Sequence, residues 1–95
     1  MLVTASAELV SFVRESGGTV WVRCQPRHSC RGVVFLETSV KPPRSSLDYE
    51  PFIVEDILVI VRLPVRVRPD ELHLSMEGRR RPRPVAAWDG CAYIV

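Results

Sequence analysis

Three cysteines are the residues of this 95-residue chain whose types and neighbours point to chemistry. Cys30-Arg31-Gly32 sets a glycine one residue past one thiol, and Asp89-Gly90-Cys91 sets a glycine directly before another. Glycine gives the backbone freedom and close approach, so each thiol has room for a bulky inorganic guest. Soft thiolate sulfur is the ligand of choice for iron–sulfur clusters, iron and zinc. Cys30 and Cys91 are therefore candidate metal ligands, with Cys24, close in sequence to the first, as a third. His28 lies between Cys24 and Cys30, giving Cys-x3-His-x-Cys, and is an auxiliary candidate. With Cys91 these residues would complete four tetrahedral ligands for zinc, in a spacing that matches no common zinc module. The plain alternative is that the cysteines pack as small buried hydrophobes. Cys24, in phase with Val20 and Val22, suits that use, while Cys30 and Cys91 suit either.

An enzyme is not expected. A nucleophile needs a base and an orienting group beside it, and no signature context surrounds Cys30, Cys91 or either histidine. Glycine-rich phosphate loops are absent from the sequence as well. His73 alternates with Leu72 and Leu74 and so points away from them, as a surface imidazole does.

The net charge is +2, too small to imply a polyanion partner by itself. Even so, 12 of the 13 basic residues are arginine, and Arg79, Arg80, Arg81 and Arg83 form one run around Pro82. That run is a candidate contact for an anion or a partner. It contains no aromatic residue on which a base could stack, so nucleic acid is not an expected partner through it. Apolar residues make up 46% of the chain without any run of the ~20 needed to cross a bilayer, so no membrane is expected. The opening Met1-Leu2-Val3-Thr4-Ala5 lacks the marks of a secretory signal, which makes the cytoplasm the default location. Thiols there stay reduced, and three cysteines leave one unpaired in any case, although a Cys24–Cys30 disulfide is open.

These residues need a scaffold, and the length sets one domain over 1–95 as the expectation. Thr4 can cap a helix over residues 5–16, where Leu9, Val10, Phe12 and Val13 recur at helical spacing before Gly17-Gly18 ends it. Strands are predicted over 19–24 and 33–36, forming a hairpin with Cys24 and Cys30 at its mouth. Residues 52–61 read as one strand apolar on both faces, with Glu55-Asp56 as a turn or bulge inside it. Val65 and Val67 alternate with Arg66 and Arg68 as an extended edge, and Pro69-Asp70 and Glu77-Gly78 bracket a strand at 72–76. Pro82 and Pro84 confine their stretch to a loop or an edge. Asp89-Gly90 is a strong hairpin signal between 85–88 and 91–95. The fold class is α+β, with one N-terminal helix laid as a lid on a small mixed or antiparallel sheet.

The order of these features resembles the A-type iron–sulfur carriers, the HesB/IscA family, along nearly the whole chain. That family opens on Val-Thr-x-x-Ala before a helix, matched by Val3-Thr4-Ala5-Ser6-Ala7. Its following strand, its Cys-x-Gly and its apolar central strand are matched by 18–22, Cys30-Arg31-Gly32 and 52–61. Where the family closes on Cys-Gly-Cys, this chain has Cys91 with Tyr93 in place of the second cysteine, and the aromatic after Cys-x-Gly is displaced by Val33. The family's late Asn-Pro is missing and the arginine run has no counterpart. The resemblance implies a HesB-like fold that binds or carries an iron–sulfur cluster or iron through Cys30, Cys91 and Cys24. Three thiols fall short of the usual four, which implies a homodimer or an external thiol, and a donor or acceptor protein for the cluster. The alternatives are an interaction domain of the same fold that has lost the cluster, using Trp88, Tyr93 and the arginines, and a small zinc protein.

Overall fold

The computed structural model describes residues 1–24, 34–45, 47–63, 70–88 and 92–94, with 24, 34, 35, 88 and 92–94 as backbone. In chain order the described elements are β1 (Leu2–Ala5), α1 (Ala7–Glu15), β2 (Thr19–Cys24), β3 (Val34–Ser39), β4 (Glu50–Val54), β5 (Ile57–Arg62), β6 (Glu71–Glu77), β7 (Arg83–Trp88) and β8 (Ala92–Ile94). The class is α+β, the described residues forming one helix and a mixed sheet. The strands join in the order β1-β6-β7-β8-β3-β2-β5-β4, with parallel pairing at β1/β6, β8/β3 and β2/β5. The strands at the two ends of that order, β1 and β4, touch each other, so the sheet curls back around its core.

The chain start departs from expectation. Thr4 is not a helix cap: it lies in β1, paired with His73, and the ladder continues until the Ser6 N–H donates to the Leu74 carbonyl at 2.9 Å. Ser6 caps the helix instead, in extended backbone, its Oγ accepting the Leu9 N–H at 3.2 Å. The far end follows the reading from Gly17-Gly18. Both glycines are left-handed (φ 114° and 90°), and the Gly18 N–H returns to the Val13 carbonyl at 2.8 Å. The Gly18 carbonyl then accepts from the Leu58 N–H at 2.9 Å, which starts β2 alongside β5.

Residues 52–61 are not one strand. They belong to a β4–β5 hairpin closed by Glu55-Asp56, with Val54 opposite Ile57. Glu55 takes a left-handed φ of 56°, and Asp56 is held by Arg14 at 2.6 Å. Two adjacent carboxylates cannot continue through a buried strand, so the chain reverses at them. β5 then lies between β2 and β4, with Ile57, Val59 and Val61 buried.

Pro82 lies in the β6–β7 connection, and Pro84 stands in β7 opposite Met76, beyond the Trp88↔Ala92 pairing with β8. The expected edge at Val65 and Val67 and the turn at Pro69 lie outside the described residues. The inward side chains of the strands meet Leu9, Val10 and Val13 of α1 in one core that also holds Val20, Val22, Leu36, Leu72 and Leu74. The helix is a lid, as its apolar stripe requires.

Candidate functional site

The four strand ends nearest the cysteines in sequence lie together in the fold. β2 and β3 are antiparallel, so the C-terminal end of β2, at Cys24, and the start of β3 lie together, with Cys24 opposite Leu36. β8 runs parallel to β3 in the register Val34↔Ala92, Phe35↔Tyr93 and Leu36↔Ile94, which sets the start of β8 beside the start of β3. β7 closes on β8 at Trp88↔Ala92 as the Asp89-Gly90 signal anticipates, so its last residue is there too. Cys30, Cys91 and His28 lie outside the described residues, as do the side chains of Cys24, Trp88 and Tyr93. The strands that carry their connections nevertheless converge on one end of the sheet, with β3 and β8 about 4.8 Å apart as hydrogen-bonded neighbours.

The arginine run is elsewhere. Residues 78–82 close the β6–β7 hairpin at the opposite end of β7, about 17 Å from Trp88 at strand rise. Gly78 starts that turn with φ 111°. Arg79, Arg80, Arg81 and Arg83 are all exposed. Among the described residues no group of three His, Cys, Asp or Glu could hold a metal ion.

Two polar constellations were not visible in the sequence. On the outer face of β1 and β6, the Thr4 hydroxyl lies 2.8 Å from His73 Nδ1 and 3.3 Å from Glu71 Oε1. The hydroxyl bridges the imidazole and the carboxylate. These three side chains tie β1 to β6 across their parallel register. Sequence places nothing beside His73 because β1 and β6 stand almost seventy residues apart.

The second is a groove of about 490 Å³ on the outer face of β2, β3 and β5, opposite the helix. Val20 and Val22 point inward, so Trp21 and Arg23 must point out. Register then sets Ser39 and Ile60 beside Trp21, and Glu37 and Arg62 beside Arg23. The Trp21 and Tyr49 rings meet edge to face, with centroids 5.3 Å apart at 87°. The Arg62 guanidinium lies 5.9 Å from the Tyr49 ring centroid, within cation–π range. Arg23 Nη2 bonds Glu37 Oε2 at 2.9 Å, and Lys41 and Arg44 complete the rim. The lining holds four cations and one carboxylate. Half of this pattern, Trp21 alternating with Arg23, is legible in β2, whereas Tyr49 and Arg62 arrive through tertiary pairing.

No family model, curated protein or solved structure matches this chain. Among the described residues no helix is long and apolar enough to cross a membrane.

Proposed function

We propose that this chain binds iron or an iron–sulfur cluster through cysteine thiolates, with Cys30 and Cys91 as ligands and Cys24 as an auxiliary one, in a HesB-like fold. One observation carries the reading: the parallel register Val34↔Ala92 between β3 and β8. Cys91 directly precedes Ala92, and Cys30 precedes Val34 by four residues, a span of at most about 14 Å of chain. Thiols far apart in sequence thus attach to neighbouring strand starts, and β2 delivers Cys24 to the same end. The chemistry that suits such a set is soft-metal ligation, with the cluster as cargo. A second copy of the chain, or a small external thiol, supplies the remaining coordination, and a donor or acceptor protein exchanges the cluster. His28 is the auxiliary ligand if zinc is the metal instead. No catalytic step is assigned.

The test is anaerobic reconstitution with iron and sulfide, followed by visible absorption, iron and sulfide analysis and solution mass, for the native chain and for Cys30→Ser/Cys91→Ser. Stoichiometric colour that the variant loses supports the reading. A colourless native chain that takes up zinc moves it to the zinc site, and one that takes up neither metal rejects thiolate ligation.

A second reading, a non-catalytic interaction domain, is favoured by the groove with its aromatic pair and cationic rim. On that reading the cysteines are packing residues and the work is done on the outer face of β2, β3 and β5.

A further inference from the structure

We infer that the groove between Trp21, Tyr49, Arg62 and the 41–45 connection is a binding site for single-stranded nucleic acid. The inference stands apart from the cysteines, whose strand ends lie elsewhere on the sheet, and it holds whether or not they bind metal.

Size, charge and ring placement argue for it together. A hollow of about 490 Å³ lies within the range of small-ligand sites and suits a unit the size of a nucleotide. Its lining has three more cations than anions, which repels metal ions and basic peptides and attracts phosphate. Arg23 is engaged by Glu37 and Arg62 by the Tyr49 ring. Among the described residues Lys41 and Arg44 have no ion-pair partner and stand exposed at the rim, the arrangement that leaves them for an incoming phosphate. Trp21 and Tyr49 both line the groove, and aromatic rings are the surfaces on which a planar base stacks. Pro42 and Pro43 hold the wall that carries Lys41 and Arg44, so little order has to be gained on binding.

A strand fits better than a lone nucleotide because the positive surface continues past the groove. Residues 40–45 follow the C-terminal end of β3, and β3 packs against β7, which runs antiparallel to it. The β6–β7 hairpin with Arg79, Arg80, Arg81 and Arg83 therefore emerges at the same end of the sheet as Lys41. The arginine run has no aromatic of its own, and the fold supplies Trp21 and Tyr49 to the surface beside that end. Stacking platform and phosphate track together are what sequence-tolerant single-strand binders use. A rigid acidic peptide would meet the cations but leave the rings without a planar partner.

The test is fluorescence anisotropy of a labelled oligouridylate of about ten residues, within the usual site size of such proteins. It uses the native chain, Lys41→Glu/Arg44→Glu, Tyr49→Leu and Arg79→Ser/Arg80→Ser/Arg81→Ser, each checked by circular dichroism. The native chain should bind, with affinity falling about tenfold or more between about 50 and about 200 mM salt. The rim double variant should lose at least about tenfold, Tyr49→Leu a comparable amount, and the hairpin variant should show a shallower salt slope. If Tyr49→Leu fails to fold, Trp21→Phe, which keeps a smaller ring, takes its place and should weaken binding several-fold. Absence of native binding at low salt overturns the inference. So does a duplex or polyglutamate that competes equally, which would reduce the surface to simple charge, or uridine monophosphate binding as tightly as the oligomer.

Discussion

Val34 and Ala92 stand side by side in a parallel pairing of β3 with β8, although they are 58 positions apart in the chain. Two residues further along, Leu36 lies between Cys24 on β2 and Ile94 on β8. Leu36 is fully buried, so it packs the strand that pairs with both β2 and β8. Leu36→Ala should cost about 2–5 kcal/mol of unfolding free energy in a urea titration, from lost burial and the cavity left behind. A loss under about 1 kcal/mol would mean that β3 is not a central strand of the core.

Ser6 ends the β1 ladder and begins the helix in one residue. Ser6→Ala removes the acceptor of the Leu9 N–H and should destabilise the fold by about 1 kcal/mol. Thr4→Val should leave helix content unchanged, because the Thr4 hydroxyl serves His73 and Glu71 instead. Equal helix loss in both variants, measured by circular dichroism, would put the cap back at Thr4.

The helix exit, β2 and the two terminal hairpins were legible because each depends on local chemistry: Gly17-Gly18, an alternating β-branched run, Glu77-Gly78 and Asp89-Gly90. β1 was not legible. Its four residues lack the length for a clear alternation, and the strand exists only because β6 offers it a parallel edge. The same limit applied to 52–61, where a continuous apolar pattern fits one long strand or two short ones and a left-handed Glu55 decides between them. Of the candidate site residues, sequence spacing singled out the cysteines and arginines by type. It could not show that the strand ends nearest the cysteines lie opposite the arginine hairpin, nor that Tyr49 and Arg62 join Trp21 across three segments, because strand order is set by long-range pairing.

Gly78 is required by its turn. Its backbone is left-handed, and an added Cβ would lie 2.7 Å from the Arg81 carbonyl oxygen. Both strain and clash fall on rigid backbone, so Gly78→Ala should cost about 1–3 kcal/mol and lower the midpoint of thermal unfolding. An unchanged midpoint would show a wider hairpin than the one described.

Thr38 faces the core side of β3, in phase with Leu36, and its Oγ1 is buried with no hydrogen-bond partner among the described residues. A buried hydroxyl without a partner costs about 1–3 kcal/mol, and valine has nearly its shape. Thr38→Val should therefore raise stability by about 1 kcal/mol in denaturant titration. A loss of stability would show that the hydroxyl is bonded after all.

The most direct test of thiolate ligation is the absorption spectrum after anaerobic reconstitution, taken with iron and sulfide counts on the native chain and on Cys30→Ser/Cys91→Ser. The account predicts visible absorption with stoichiometric iron in the native chain, abolished in a variant that keeps its circular dichroism. A folded native chain that stays colourless and iron-free, or a variant that colours as strongly as the native chain, would contradict it.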